Sequence, residues 1–436
     1  MKILRYKDEG FVQNIEQLAA GSSLLDREIE ERAREIVSEV SVKGDVALSD
    51  FTERFNGIRL HPEQFAVTQA ELLTASLKAD ESFRSCLQIA AKNIKAFSKK
   101  SLRKNWSMKN GQGATVGEKF DPFQRVGIYI PGGTAPLVST ALMTIVLARV
   151  AGCEQIVVCT PCNNQGEINP ALLHAIKFAG ATEIYRLGGA QAIAAMALGT
   201  HSIRRVQKVF GPGNAYVVAA KRLLVGHVAI DLLPGPSEVL VLADESANPR
   251  FVAADLLAQA EHGSGSERVW LVTDSGKLLR AVHAEVVRQT EKLSRHAFIE
   301  AALEKHGYLI QVKSLDQAVQ ITNLIAPEHC EIMTRGASKL ATKITTAGAL
   351  FLGSYSPTVL GDYMAGPSHC LPTGGAGSSF AGLTVDQFQR RTSIVEYNQP
   401  ALKKSLPVLK KLAEMEGLDA HGRSASIRLE SKSKSS

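Results

Sequence analysis

Up to about residue 104 the apolar positions of the chain recur at helical spacing among charges. In the run Asp26-Arg-Glu-Ile-Glu-Glu-Arg-Ala-Arg-Glu-Ile-Val37 this pattern predicts an amphipathic helix, and residues 1–104 are expected to form a helical segment. After Gly111 the rhythm changes to short apolar runs alternating with longer helical ones. Strands are predicted at Val126 to Ile130, Ile156 to Cys159, Glu183 to Leu187 and Lys208 to Phe210. The helices between and after them are expected at Ser139 to Ala151, Pro170 to Phe178, Ala190 to Leu198 and Ala215 to Leu224. The alternation then restarts with Glu238 to Ala243, the helix from Pro249 to Glu261, and Arg268 to Thr273. It continues through Tyr308 to Gln311, the helix Leu315 to Ile325, and Ala349 to Leu352. Two such series predict an α/β fold of two similar lobes, each a parallel sheet covered by helices. The expected divisions are 1–104, a first lobe over 105–238, a second over 239–378, and a helical tail over 379–436.

The longest apolar stretch, Ala135 to Cys153, contains Arg149 and several hydroxyl residues and follows a Pro-Gly-Gly turn, so it reads as a buried helix rather than a membrane span. The opening residues break their apolar positions with charges and do not form a secretory signal, which points to a cytoplasmic protein with no membrane partner. A length of 436 residues fits two or three domains, and 45% hydrophobic with 21% charged residues is ordinary globular composition. The net charge of +7 gathers near the C-terminus, at Lys403-Lys404, Lys410-Lys411, Lys432 and Lys434. No aromatic-interleaved basic run accompanies it, so a solvated surface is expected and nucleic acid is not.

Four glycine-rich segments lie at predicted strand ends, where open α/β sheets bind ligands: Pro131-Gly-Gly-Thr134, Gly188-Gly-Ala-Gln191, Gly211-Pro-Gly-Asn214 and Gly235-Pro-Ser237. None is the dinucleotide fingerprint, because Tyr216 stands where its third glycine would fall, and a tight pyrophosphate turn is not indicated. Of the six cysteines only Cys159 and Cys162 have suggestive spacing. They end a strand rather than open a helix and lack a second Cys/His pair, so ordinary reduced thiols are expected.

The helix from Pro249 has a capping Asn248 before it and Gly263 at its exit, and places Gln259 and His262 three residues apart on one side. A lone histidine at a helix C-terminus is more often a partner of the helix dipole than a metal ligand. Further polar segments strengthen the case for a ligand: Pro327-Glu328-His329, Gly361-Asp362-Tyr363, Gly366-Pro-Ser-His369, and Glu416 to His421. Oxygen and nitrogen donors of this kind suit Zn²⁺ or a similar borderline ion without a thiolate. At this level a zinc hydrolase using Glu328 and a non-catalytic binding protein stay open, although His-Glu-x-x-His ligand spacing is absent.

Taken together, Val126-Gly-Ile-Tyr-Ile-Pro-Gly-Gly-Thr-Ala-Pro136, Gly188-Gly-Ala-Gln-Ala-Ile193, Phe210-Gly-Pro-Gly-Asn214, Gly235-Pro-Ser-Glu-Val239, Gln259-Ala-Glu-His262, Pro327-Glu-His329 and Gly361-Asp-Tyr363 resemble the histidinol dehydrogenase family, from about residue 20 to Glu430. The resemblance implies two incomplete Rossmann-like lobes. It also implies one zinc ion per subunit on Gln259, His262, Asp362 and His421, the last supplied by the partner subunit of an intertwined homodimer. Ser237, Gln259, His262, His329, Asp362, His369, Glu416 and His421 would surround the substrate, and Tyr129, Gln191 and Asn214 would contact NAD. The implied reaction is the four-electron oxidation of L-histidinol through L-histidinal to L-histidine. In it His329 serves as base for both hydride transfers and Glu328 activates the water that hydrates the aldehyde. Zinc would orient the substrate's nitrogens more than polarise a carbonyl. The chain departs from the family pattern at Ser368 (commonly Asn), at Pro234 (one place late) and at Thr358 (commonly acidic), which bears on substrate positioning rather than reaction type.

Overall fold

The computed structural model describes residues 1–20, 26–132 and 136–430; Gly133 and Thr134 of the first glycine loop, and the basic residues Lys432 and Lys434, lie outside the described residues. The chain divides into two compact units, one of residues 1–101 and 123–388, the other of 102–122 and 389–436.

Within the first unit the two predicted series each become a parallel sheet. The first sheet runs in the order Glu183–Tyr185, Gln155–Cys159, Arg125–Tyr129, Lys208–Phe210, Ala229–Ile230. The second runs Lys2–Arg5, Gly307–Gln311, Arg268–Thr273, Glu238–Ala243, His329–Met333, Ala349–Leu352. Numbered from its own first crossover strand, each sheet has the order 3-2-1-4-5, so the two lobes repeat one topology. The second adds Lys2–Arg5 at its edge, in parallel register with Tyr308 to Gln311. The central strands Arg125–Tyr129 and Glu238–Ala243 are buried at every position, as continuous apolar runs covered on both faces require.

The helices follow their caps. Asn248 accepts from the Arg250 N–H ahead of Pro249–Ala260, and Asn214 accepts from the N–H groups of Tyr216 and Val217 ahead of Ala215–Leu223. Val138–Ala151 is the buried helix expected from the long apolar stretch, and among the described residues no helix is long and apolar enough to cross a membrane. The N-terminal helices contribute Ile36, Leu48, Phe51 and Phe65 to the core around Val157, Ile193 and Met196 of the first lobe. Phe11 and Ile15 pack instead against Leu240, Trp270 and Ile310 of the second.

One buried ion pair fixes the first lobe's ligand loops. Lys221, fully buried, pairs with Asp231 and donates to the carbonyls of Gly211 at 3.0 Å and Leu232 at 2.9 Å. Asp231 in turn accepts from the Gly211 N–H at 2.7 Å. Gly211 is at φ +108°, and a Cβ there would lie 2.1 Å from the Tyr129 carbonyl, so only glycine permits this approach of two strand ends. Lys221→Met removes the cation and leaves Asp231 buried without it. A loss of about 3–5 kcal/mol is expected by urea unfolding, and a loss under about 1 kcal/mol would contradict this account.

The second unit contains the antiparallel sheet Gln389–Glu396, Thr115–Pro122, Trp106–Lys109, followed by the helices Gln399–Met415 and Asp419–Ser426. The tail is therefore not helical from its start. Its first ordered pairing, from Gln389 opposite Pro122 to Glu396 opposite Thr115, is made with a segment some 270 residues earlier in the chain.

Candidate active site

In the first lobe Gly189 and Gly211 both approach the end of the strand Arg125–Tyr129. Tyr129 is buried at the end of its strand, and its hydroxyl accepts from the Gly189 N–H at 3.0 Å. Burial raises the Tyr129 phenol to about 12 against the lowering effect of that bond, so it stays protonated. Gln191 is buried beside Gly189, and its Oε1 has no protein partner. Asn214 is exposed at its helix cap. These three expected NAD contacts therefore lie at the carboxyl ends of the strands: Tyr129 ends its strand, Gln191 is in the first turn of the helix Gly189–Leu198, and Asn214 caps Ala215–Leu223.

The second lobe behaves differently. Ser237 immediately precedes the strand Glu238–Ala243, and Glu328 and His329 stand at the start of His329–Met333. The expectation that all four glycine segments occupy carboxyl ends is corrected here: Gly235-Pro-Ser237 and the paired bases lie at the amino ends. The helix Pro249–Ala260 runs back across the sheet, which brings Gln259 and His262 to the end opposite its start.

Glu328 and His329 are both pinned to one residue of the neighbouring strand. The Glu238 N–H donates to Glu328 Oε2 at 2.8 Å, and His329 Nδ1 donates to the Glu238 carbonyl at 2.9 Å. Because a carbonyl can only accept, Nδ1 keeps a proton in either charge state of His329, and Nε2 is the nitrogen that gains or loses one. Asp362 Oδ1 stands 4.0 Å from that Nε2, and Glu328 Oε2 is 3.4 Å from Nδ1. Burial alone would lower the imidazole pKa. The charge and hydrogen bond of Glu328, the charge of Asp362 and the Glu238 carbonyl outweigh it and raise the pKa to about 9.

His369 bridges the lobes. Its Nδ1 donates to the Asp362 carbonyl at 3.1 Å, and its Nε2 accepts from the Thr140 hydroxyl at 3.2 Å, Thr140 lying in the first turn of Val138–Ala151. Burial lowers the His369 pKa against the raising effect of Asp362, so this ring is neutral. Ser368 donates to the Met143 carbonyl at 3.1 Å, a second tie between the same loop and helix. Thr373 accepts from the Gly235 N–H and fixes the loop that carries Ser237. Thr140 and Thr373 were not singled out in the sequence, since a hydroxyl that serves as a tie has no local pattern.

Gln259 is buried, and its amide lies 3.1 Å from His262 Nδ1, with His262 exposed. The Tyr363 phenol is raised by burial and then by the charges of Asp362 and Glu261. Gln259, His262 and Asp362 supply an amide oxygen, an imidazole nitrogen and a carboxylate oxygen, a donor set that fits a borderline divalent ion short of a complete shell. Among the described residues no three His, Cys, Asp or Glu side chains converge into a preformed cage. Glu416 and His421 belong to the second unit, where both are exposed. Every buried thiol near this chemistry is held protonated: burial pushes up Cys330, and Cys370 to about 12. Cys159 and Cys162 are likewise free, buried and raised by burial.

The signature of the family described as histidinol dehydrogenase matches residues 21–429. The chain belongs to the histidinol dehydrogenase family. It is 44% identical over 422 residues to the histidinol dehydrogenase of Geobacillus kaustophilus, covering 95% of this chain and 99% of that one. It is 42% identical over 408 residues to that of Heliobacterium mobile, covering 94% and 95%. The crystal structure of histidinol dehydrogenase from Elizabethkingia anophelis superposes with a TM-score of 0.93 at 35% identity, covering 98% of each chain. The likeness to the family thus extends through both lobes and the second unit.

Glu238 is an addition to the family site as read from sequence. Its buried carboxyl lies 3.5 Å from Arg268 and has one oxygen without a partner. Burial, opposed by Arg268 and reinforced by the charge of Glu328, raises its pKa to about 7. A carboxyl raised in this way costs stability once pH passes the unfolded value, and the cost is complete above the folded one. Glu238→Gln should therefore stabilise the protein more at pH 8 than at pH 5, by about 2–3 kcal/mol in the difference. Equal unfolding free-energy changes at the two pH values would contradict the assignment.

Proposed function

We propose that this chain oxidises L-histidinol to L-histidine in two successive steps, consuming two NAD⁺ and one water. The observation that carries this reading is the buried Glu328–His329 pair, both members fixed on the Glu238 peptide with Asp362 beside the free His329 nitrogen. In the first step His329 Nε2 takes the alcohol proton as hydride leaves for NAD⁺. Glu328 then takes a proton from the water that adds to the aldehyde. His329 acts again on the resulting diol as the second hydride leaves. Holding the aldehyde between the steps keeps a reactive species out of solution.

Zinc bound by Gln259, His262 and Asp362, with His421 of a second subunit, would fix the substrate's imidazole and amino nitrogens in place. A metal held by Asp362 would engage one of the charges that raise the His329 pKa, which would favour the basic form of Nε2. Ser237, His369 and Glu416 complete the substrate surroundings, and NAD lies against the loops of Tyr129, Gln191 and Asn214. A homodimer is supported by the helix Gln399–Met415, which leaves Val408, Leu409, Leu412 and Met415 exposed by 41–74%. The cytoplasm is the proposed location.

One assay tests the whole reading: NADH formed per histidinol consumed, with and without a chelator. Two NADH per histidinol, lost on chelation and restored by zinc, is the expected result. No NADH from histidinol would sink it.

A further inference from the structure

Glu331 lies two residues beyond His329, on the same strand, and is almost fully buried. One of its carboxylate oxygens accepts from the Thr358 N–H at 2.7 Å. Thr358 opens the helix Thr358–Tyr363, which carries Asp362 and has no side-chain cap of its own. The other oxygen, Glu331 Oε2, has no ordinary donor. Its neighbour is the buried carboxyl of Asp255, one turn before Gln259 on the helix Pro249–Ala260. Two carboxyl groups in contact away from water cannot both be ionised, but they bond well through one shared proton. Burial and the charge of Asp255 hold the Glu331 proton far above the ordinary carboxylate range, as such sharing requires.

We propose that Glu331 is the positioning residue of the active site, joining the strand of His329, the helix of Gln259 that leads into His262, and the helix of Asp362 through its bonds to Asp255 and Thr358. The three elements come from three distant parts of the chain, and this is a buried polar junction common to all of them. The metal arm of the test rests on the zinc reading above; the junction itself does not.

The experiment compares Glu331→Ala, Glu331→Gln and Thr358→Pro with wild type in the full-length protein. Amide hydrogen exchange over residues 358–363 is measured without metal, and zinc affinity by competition with a chromophoric chelator. Glu331→Ala should speed exchange over this helix by about tenfold or more and weaken zinc binding by about 10–100-fold. Glu331→Gln can accept from Thr358 and donate to Asp255, so it should stay within about threefold of wild type on both measures. Thr358→Pro is the second probe should Glu331→Ala not fold. Proline is favoured by the backbone at a first helical position, so helix propensity alone foresees no loss. The junction foresees faster exchange, because the Thr358 N–H that Glu331 accepts is gone. Wild-type exchange in Glu331→Ala or Thr358→Pro, or a Glu331→Gln as impaired as Glu331→Ala, would overturn the proposal. Failure of the wild type to bind zinc would instead refute the metal reading, and the exchange comparison would still decide this one.

Discussion

His329→Asn is expected to slow both oxidation steps by about 10³-fold, within the range that removal of a general base commonly costs. The expectation follows from where the ring's two nitrogens point. Nδ1 is committed to the Glu238 carbonyl at 2.9 Å, and an asparagine amide can reproduce that bond. The variant therefore keeps the local backbone geometry and loses only Nε2, the atom nearest Asp362. Because the same nitrogen serves the alcohol and the hydrated aldehyde, NADH formation from histidinol and from histidinal should fall together. Stopped-flow measurement with each substrate, alongside an unchanged zinc content, checks this. A defect confined to one step would mean that the two oxidations use different bases.

The pattern of the chain revealed the fold to the extent that each element's partners were local. Asn248 and Pro249 opened a helix that the structure reproduces, although it ends at Ala260 rather than at Gly263, and the buried runs Arg125–Tyr129 and Glu238–Ala243 appeared as strands because both of their faces are covered. Lys2–Arg5, by contrast, is a short mixed run that becomes a strand only by pairing with Tyr308 to Gln311. Trp106–Lys109 and Gln389–Glu396, largely exposed, show no periodicity that would have set them apart. The candidate site divides in the same way. Gln259 and His262 are visible as close neighbours at a helix end, and Glu328 and His329 as adjacent residues, whereas Asp362 and His369 were joined to them by family resemblance. What could not be read is which main-chain atoms hold these groups. The role of the Glu238 peptide depends on the register that sets His329 opposite Val239, and the Thr140 tie depends on two lobes meeting. The amino-end position of the second lobe's bases was hidden for a related reason: a strand's pattern does not say at which of its ends the chemistry lies.

Glu328→Gln should separate the two half-reactions. Its amide oxygen can still accept from the Glu238 N–H, so the loop keeps its place, but an amide cannot take a proton from water. The hydration step should slow by about 10²–10³-fold, while hydride transfer from the alcohol stays within about tenfold of wild type. In a single turnover with excess NAD⁺ one NADH should form quickly and the second slowly, with the intermediate aldehyde open to capture by a carbonyl reagent. A second signature comes from His329. The Glu328 charge is the largest influence raising the imidazole pKa against burial, so its removal lowers that pKa. The basic form of His329 is then populated at lower pH, and the acid limb of the alcohol oxidation should move toward acid in the variant. Equal slowing of both steps with an unmoved pH profile would contradict the division of labour between the two residues. It would make Glu328 a support for His329 rather than a base in its own right.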